Sequence, residues 1–243
     1  MSIVIPAYNE ALRLPATIAG WIEFLRQQEY GSEIVVVDDG SQDATATVVE
    51  RTIDELAAMG APGPAVRLIR LPSNQGKGGA VRAGMRGARG RYRFYVDADL
   101  NIAPGYVTPA LRLLRTDYAV VAGRRALSDY AAAERSVARL LAGAAVQLTR
   151  RLFVLPTIQD TQCGFKGFRA ATAEAVFRRT LIHTFAFDVE VLFLARRLGA
   201  RIAELPVTTT YRPGSTYVLR RHLLPFLQDV LRIRLNALRG AYR

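Results

Sequence analysis

Arg91-Tyr92-Arg93-Phe94-Tyr95-Val96-Asp97-Ala98-Asp99-Leu100-Asn101 is the stretch from which the fold of this chain is read. A short, largely apolar run that stops abruptly on polar residues reads as a buried strand. The spacing of Asp97 and Asp99, i and i+2, turns both carboxylates the same way. In an open α/β sheet the crevice beyond the carboxyl ends of the strands receives ligands, so these two acids are placed to hold a divalent cation, Mg²⁺ or Mn²⁺, against phosphates. An isolated Asp-x-Asp also occurs in ordinary solvated turns, and the surrounding chain decides between the two.

Outward from that strand, apolar runs and amphipathic stretches alternate. Residues 2–5 read as a strand closed by Pro6, followed by a helix with Pro15 in its first turn and Ile18, Trp21, Ile22 and Leu25 on its buried face. A second strand over 33–37 ends on Asp38-Asp39, and Gly40-Ser41 turns the chain into a helix over about 43–59. A third strand over 66–71 precedes a glycine-rich loop, 72–79, which contains Lys77, and then a helix to about Gly87. Pro104 opens another helix, and a strand over 118–122 ends on Gly123-Arg124-Arg125. Such alternation predicts an α/β fold with a mainly parallel sheet covered on both faces. It stops at 127–155, read as a helical insert, and resumes with strands over 164–169 and 201–205 and helices over 171–179 and 188–198.

With 243 residues, half of them hydrophobic, the chain is long enough for one large α/β domain and an appendage. The expected division is an α/β domain over 1–217 and a basic amphipathic helix over 218–243. A net charge of +12 calls for a negatively charged partner: nucleic acid, an anionic membrane surface or a phosphorylated substrate. The lone Cys163 cannot form an intrachain disulfide. No run reaches the roughly 18–20 apolar residues of a spanning helix, and the first residues lack the basic and apolar regions of a signal peptide. A cytoplasmic protein is expected.

Three motifs in order, Ile3-Val4-Ile5-Pro6-Ala7-Tyr8-Asn9-Glu10, Val35-Val36-Val37-Asp38-Asp39-Gly40-Ser41 and Asp97-Ala98-Asp99, resemble the inverting family 2 glycosyltransferases of GT-A (Rossmann-like) fold. Asn74-Gln75-Gly76-Lys77-Gly78-Gly79-Ala80, Gln159-Asp160-Thr161-Gln162-Cys163-Gly164-Phe165-Lys166 and Phe187-Asp188-Val189-Glu190 are similar to the dolichyl-phosphate β-glucosyltransferase branch. The resemblance spans about residues 2–217. It implies a nucleotide-sugar site made by Pro6, Ala7, Tyr8, Glu10, Asp38, Asp39, Lys77, Asp97, Ala98 and Asp99, with the metal on Asp97 and Asp99 and Asn101 adding an oxygen. A base needs a packing surface and an acceptor for its ring N–H, which Tyr8 and a strand-end carboxylate supply.

By the same resemblance Asp160 lies near the acceptor, as a general base or as an orienting group; a phosphate acceptor is already an anion near neutral pH and needs no base. Arg124, Arg125, Lys166 and Arg212 are expected at strand ends or loops as phosphate partners, with Arg124 and Arg212 foremost, since guanidinium groups bind phosphate bidentately. The implied reaction moves a hexose, glucose from UDP-glucose, onto a polyprenyl (dolichyl or undecaprenyl) phosphate at the cytoplasmic membrane face. Transfer of mannose from GDP-mannose is the alternative. A nucleic-acid partner is disfavoured, because the acidic pairs beside the arginines repel a polyanion.

In the tail, Leu219, Leu223, Phe226, Leu227, Val230, Leu231, Leu235 and Leu238 recur at helical spacing, with Pro225 best placed in a first turn. Arginines including Arg220, Arg221, Arg232 and Arg234 accompany them. This pattern suits a peripheral helix on an anionic membrane; packing on the core or homodimerisation is the alternative. On the membrane reading, a chain ending near Tyr217 keeps its affinity for the donor.

Overall fold

The structure, a computed structural model, describes residues 1–60, 63–125, 158–210 and 219–243, the last segment in side-chain detail from Leu224 onward. The expected insert at 127–155 and Arg212 lie outside the described residues.

Seven strands form one sheet: β1 (Ser2–Ala7), β2 (Glu33–Asp38), β3 (Ala65–Arg70), β4 (Tyr92–Val96), β5 (Val120–Arg125), β6 (Phe165–Arg169) and β7 (Ile202–Val207), in the order β3-β2-β1-β4-β6-β5-β7. All neighbours pair in parallel except β6, which runs antiparallel to both β4 and β5. The described helices are α1 (Leu14–Arg26), α2 (Thr45–Met59), α3 (Gly76–Gly87), α4 (Val107–Arg115), α5 (Ala170–Arg179), α6 (Phe187–Arg197) and α7 (Leu219–Leu238).

Strands of a sheet covered on both faces must be apolar on both faces, and alternate residues divide between two cores. Ile3, Ile5, Ile34, Val36, Phe94 and Val96 join α1 and α4 on one side through Trp21, Leu25, Leu111 and Leu114. Val4, Val35, Val37, Tyr95 and Phe168 join α3, α5, α6 and α7 on the other. The chain moves outward from β1 through β2 to β3, then returns to place β4 on β1's opposite side. Ligands of doubly wound sheets sit outside such a reversal point. It brings the ends of β1, β2, β4 and β5, with their acids and arginines, to one edge.

Three local expectations are corrected. Lys77 is not in a loop: it is the second residue of α3. Glycine disfavours a helix on propensity alone, but close packing reverses that here, because a Cβ at Gly78 would run into Phe187 and one at Gly84 into Val4 and Val37. The strand expected to stop at Ala122 continues through Arg125, and Arg124 and Arg125 stand at its carboxyl end, the strand-end position expected of them, paired with β7 opposite Pro206 and Val207. Pro225 lies inside α7.

The tail stripe also divides in two. Phe226, Val230, Ile233 and Ala237 are buried in the same core as α6, whereas Leu224, Leu231, Leu235 and Leu238 are exposed. Tyr242, beyond the helix, packs on Phe193 with ring centroids 6.3 Å apart. Because α7 completes this core, removing it exposes the flank of α6, and the expectation that a truncated chain keeps its donor affinity does not carry over to this structure.

Candidate active site

The loops after β1 and β2 are tied together before any ligand enters. The Asp39 amide donates to the Ala7 carbonyl at 2.8 Å, Asn9 N–H to the Ser41 hydroxyl at 3.0 Å and Glu10 N–H to the Thr45 hydroxyl at 2.8 Å. Asn9 takes a positive φ of 55°, a conformation that asparagine adopts more readily than most residues. Beside this tie a shallow cleft is lined by Asp38, Gly40, Ser41, Arg70, Leu71 and Pro72. Tyr8, in the loop after β1, is 41% exposed.

Asp38 and Asp39 are both buried. Asp38 accepts from Ser41 N–H at 3.0 Å, with the Arg70 guanidinium 3.9 Å away. Asp39 accepts from Gln75 N–H at 2.7 Å and thereby joins the end of β2 to the entrance of α3. Burial holds its carboxyl above the usual carboxylate range, with backbone N–H bonds opposing the shift. Glu10 is in ion-pair contact with Arg13 at 2.7 Å. The role of Arg13 was not visible in sequence, because it depends on how α1 leaves the loop.

Beyond β4, Thr17 of α1 donates its hydroxyl to the Ala98 carbonyl at 2.6 Å and anchors the Asp97-Ala98-Asp99 turn. Leu100, with φ of 51°, completes this turn, and Asn101 N–H donates to Asp99 at 3.2 Å. The Asp97 carboxylate lies against Gly164, where any Cβ would overlap it. Lys77 Nζ is 2.6 Å from Asp97 Oδ1. Burial disfavours the Lys77 charge, but Asp97 and Asp188 outweigh that and push its pKa up to about 12. Burial likewise opposes ionisation of Asp97, and the charges of Lys77, Lys166 and Arg125 bring its pKa below the ordinary value. Asp99 moves the other way, raised by burial and by the charge of Asp97.

Two carboxylates on one turn, one of them made reluctant to ionise by burial and by the charge of the other, form an oxygen donor set that a divalent cation would relieve. Among the described residues no group of three or more His, Cys, Asp or Glu side chains is arranged to hold a metal. The remaining ligands of a cation here would therefore come from a bound phosphate group and water, as is usual for Mg²⁺.

Asp160 is held by Arg125 through Nε at 2.8 Å and Nη2 at 3.0 Å, and by Gln162 N–H at 3.0 Å. Burial pushes its carboxyl up, but Arg125 more than compensates and leaves it below the usual range. An Asp in that state is a poor proton acceptor, which favours orientation over general-base chemistry. Arg124 Nη1 donates to Gln159 Oε1 at 2.7 Å.

Lys166 departs from expectation. Its side chain is fully buried, with Nζ bonded to Asp188 and to the Cys163 carbonyl, and Asp188 also accepts from Tyr95 O–H at 2.7 Å. Lys166 stands beneath the crevice, where it acts on Asp97 by charge, and a direct phosphate contact would require breaking a buried ion pair. Burial raises the Cys163 thiol to about 11, so that thiol is inert. The Gln162 side-chain nitrogen is buried without a hydrogen-bond partner, a condition uncommon in folded proteins away from ligand sites. Only the knowledge that Asp160 and Cys163 flank it in a packed loop makes this visible.

Residues 2–184 match glycosyl transferase family 2. The dolichyl-phosphate beta-glucosyltransferase of Drosophila melanogaster is 37% identical over 255 residues, covering 100% of this chain and 77% of that protein. The enzyme of the same name from Homo sapiens is 33% identical over 255 residues, again covering 100% and 77%. Among solved structures, glucosyl-3-phosphoglycerate synthase from Mycobacterium tuberculosis in complex with Mn²⁺, uridine diphosphate and glucosyl-3-phosphoglycerate superposes with a TM-score of 0.63 at 21% identity, covering 97% of this chain and 78% of that one. The same protein has been solved with Mg²⁺ and uridine diphosphate. At that identity the likeness is one of fold.

Proposed function

The chain belongs to glycosyl transferase family 2, and from that premise we propose that it is an inverting hexosyltransferase moving glucose from UDP-glucose onto a dolichyl-type polyprenyl phosphate. The carrying observation is similarity along the whole of this chain to enzymes named dolichyl-phosphate beta-glucosyltransferase in animals and Dictyostelium, supported by a strand-end crevice that brings acids and cations together. The relatives are named for glucose, which favours it over the mannose alternative.

In this reading Tyr8 and the Asp38–Arg70 cleft receive the uracil, and Asp39 and Glu10 serve as acceptors for base or ribose. Asp97, Asp99 and Asn101 would hold Mg²⁺ or Mn²⁺, which when bound offsets the charge that develops on the departing diphosphate. Lys77, at the N-terminus of α3 where backbone N–H groups favour anions, supplies a fixed positive charge to the same group. An oxygen of the acceptor phosphate attacks the anomeric carbon from the side opposite the nucleotide. The new C–O bond forms as the bond to UDP breaks, and the electron pair leaves on the diphosphate.

Arg124 and Arg212 are assigned to the acceptor phosphate and Gln162 to a sugar or phosphate oxygen. Arg125 and Asp160 position that side of the site. The site residues are assigned to 1–217, with α7 completing the core of the same domain, and the acceptor sets the place of action, a cytoplasmic membrane face. A donor screen with Mg²⁺ and Mn²⁺, a polyprenyl phosphate acceptor and mass-spectrometric identification of the product tests the proposal. A glucosylated lipid phosphate is the expected product; transfer from GDP-mannose in preference to UDP-glucose would reject the donor assignment.

A further inference from the structure

The two faces of α7 are differently committed. Phe226, Val230, Ile233 and Ala237, at spacings of four, three and four, are buried. The helix is pinned in that orientation by Thr184 O–H donating to Asp229 at 2.7 Å and, past its end, by Tyr242 O–H donating to Glu190 at 2.7 Å. Leu224, Leu231, Leu235 and Leu238, at spacings of seven, four and three, form a second stripe roughly 140° around the helix at 3.6 residues per turn, and all four are exposed. Because the first face is fixed in the core, the second cannot turn inward. Arg232, Arg234 and Arg239, also exposed, flank this stripe on both sides, and Asp229 is the sole acid of the helix.

We propose that this leucine face of α7 is the surface by which the protein docks on an anionic lipid bilayer. The proposal rests on the acceptor reading above, since a polyprenyl phosphate stays in the bilayer and the enzyme must meet it there. An apolar stripe bordered by arginines matches the boundary between acyl chains and anionic headgroups, with leucines entering the first and guanidinium groups the second. A second copy of the chain fits less well. A leucine side chain offers on the order of 100 Å², so four from each copy bury well under the roughly 1,200 Å² of a stable interface, and the flanking arginines would face one another.

The same helix bears on the donor site. Glu190, which receives Tyr242, also accepts from Leu181 and Ile182 N–H at 3.0 Å each, and the next residue, His183, accepts from Gly78 N–H of α3 at 2.9 Å. The docking face is thus in fixed register with the helix that carries Lys77.

The test uses the full chain and the double variant Leu231→Asp/Leu235→Asp, both positions being exposed and outside the core. Sedimentation is measured with phosphatidylcholine vesicles containing one part in three phosphatidylglycerol, alongside UDP-glucose affinity and transfer to two acceptors, a long polyprenyl phosphate in those vesicles and a short, water-soluble prenyl phosphate. The double variant is expected to bind vesicles at least about tenfold more weakly and to lose vesicle-borne transfer in proportion, with donor affinity and transfer to the short acceptor unchanged. Raised salt should weaken the wild type. Equal sedimentation of the two proteins overturns the docking face, as does loss of self-association with vesicle binding intact. Leucine-dependent vesicle binding without transfer to either prenyl phosphate supports the docking face and rejects the acceptor reading.

Discussion

At the scale of single residues, Asp97 is ion-paired with Lys77 whereas Asp99 accepts only weakly from Asn101 N–H at 3.2 Å, and the proposed cation would rest chiefly on Asp99. Asp99→Ala should abolish transfer and weaken cation-dependent binding of UDP-glucose, measured by calorimetry with and without Mg²⁺; Asp97→Asn should act less completely. Undiminished turnover of Asp99→Ala in the presence of chelator would show that the acids are structural. The Arg125–Asp160 pair makes a claim about pH. Arg125 holds Asp160 below the ordinary carboxylate range, so the pair contributes stability that is fully present above the unfolded-state pKa, near 3.9, and lost as pH falls through the lower folded-state value. Arg125→Ala leaves Asp160 buried without its cation and should cost on the order of 2–3 kcal/mol at pH 7, below the roughly 3–5 of a fully buried pair because the Arg125 side chain is 26% exposed. Urea unfolding should show that difference shrinking toward pH 3; an equal difference at both pH values would refute the electrostatic cause. The acidic pairs were legible in sequence because strand-end spacing is local. Arg70 and the burial of Lys166 were not, because each depends on a partner brought in by the fold, Asp38 across β2 and β3 and Asp188 from α6.

At the scale of elements, the turn from Thr180 to Thr184 joins three helices. It receives α6 through Glu190, α7 through Thr184 and Asp229, and supports α3 through His183. Burial keeps the Glu190 carboxyl above the usual range, despite two N–H groups and a tyrosine O–H that favour its ionised form. Tyr242→Phe removes one of those bonds and should cost about 1.5–3 kcal/mol where Glu190 is ionised. Glu190→Ala also frees the turn, and should raise the KM for UDP-glucose through α3 more than it lowers kcat. Denaturation midpoints and initial rates decide this; a loss of stability with unaltered KM would confine Glu190 to the core. The β1-to-β4 alternation was readable from apolar runs and turn residues. The start of α3 was misread because glycine propensity opposes helix there and packing against Val4, Val37 and Phe187 overrides it. The tail gave its helical period but not its orientation, since two apolar stripes on one helix look like a single broad one until a neighbour covers half.

At the scale of the whole molecule, a strand order that reverses at β1 and β4 gathers the strand-end acids and arginines at one edge, and a net charge of +12 draws anionic partners toward the surface. Parallel α/β architecture followed from the sequence pattern, whereas the insertion of β6 between β4 and β5, which sets Gly164 beneath Asp97 and buries Lys166, is a long-range choice that no local pattern announces. Among the described residues no helix is long and apolar enough to cross a membrane. The central claim, inverting glucosyl transfer to a lipid phosphate, is tested most directly by proton NMR of the anomeric centre in the product made from α-linked UDP-glucose and a polyprenyl phosphate with Mg²⁺ present. The account predicts a single glucosyl phosphate of β configuration that does not form when the cation is chelated; an α-linked product, or equal yield in chelator, would contradict it.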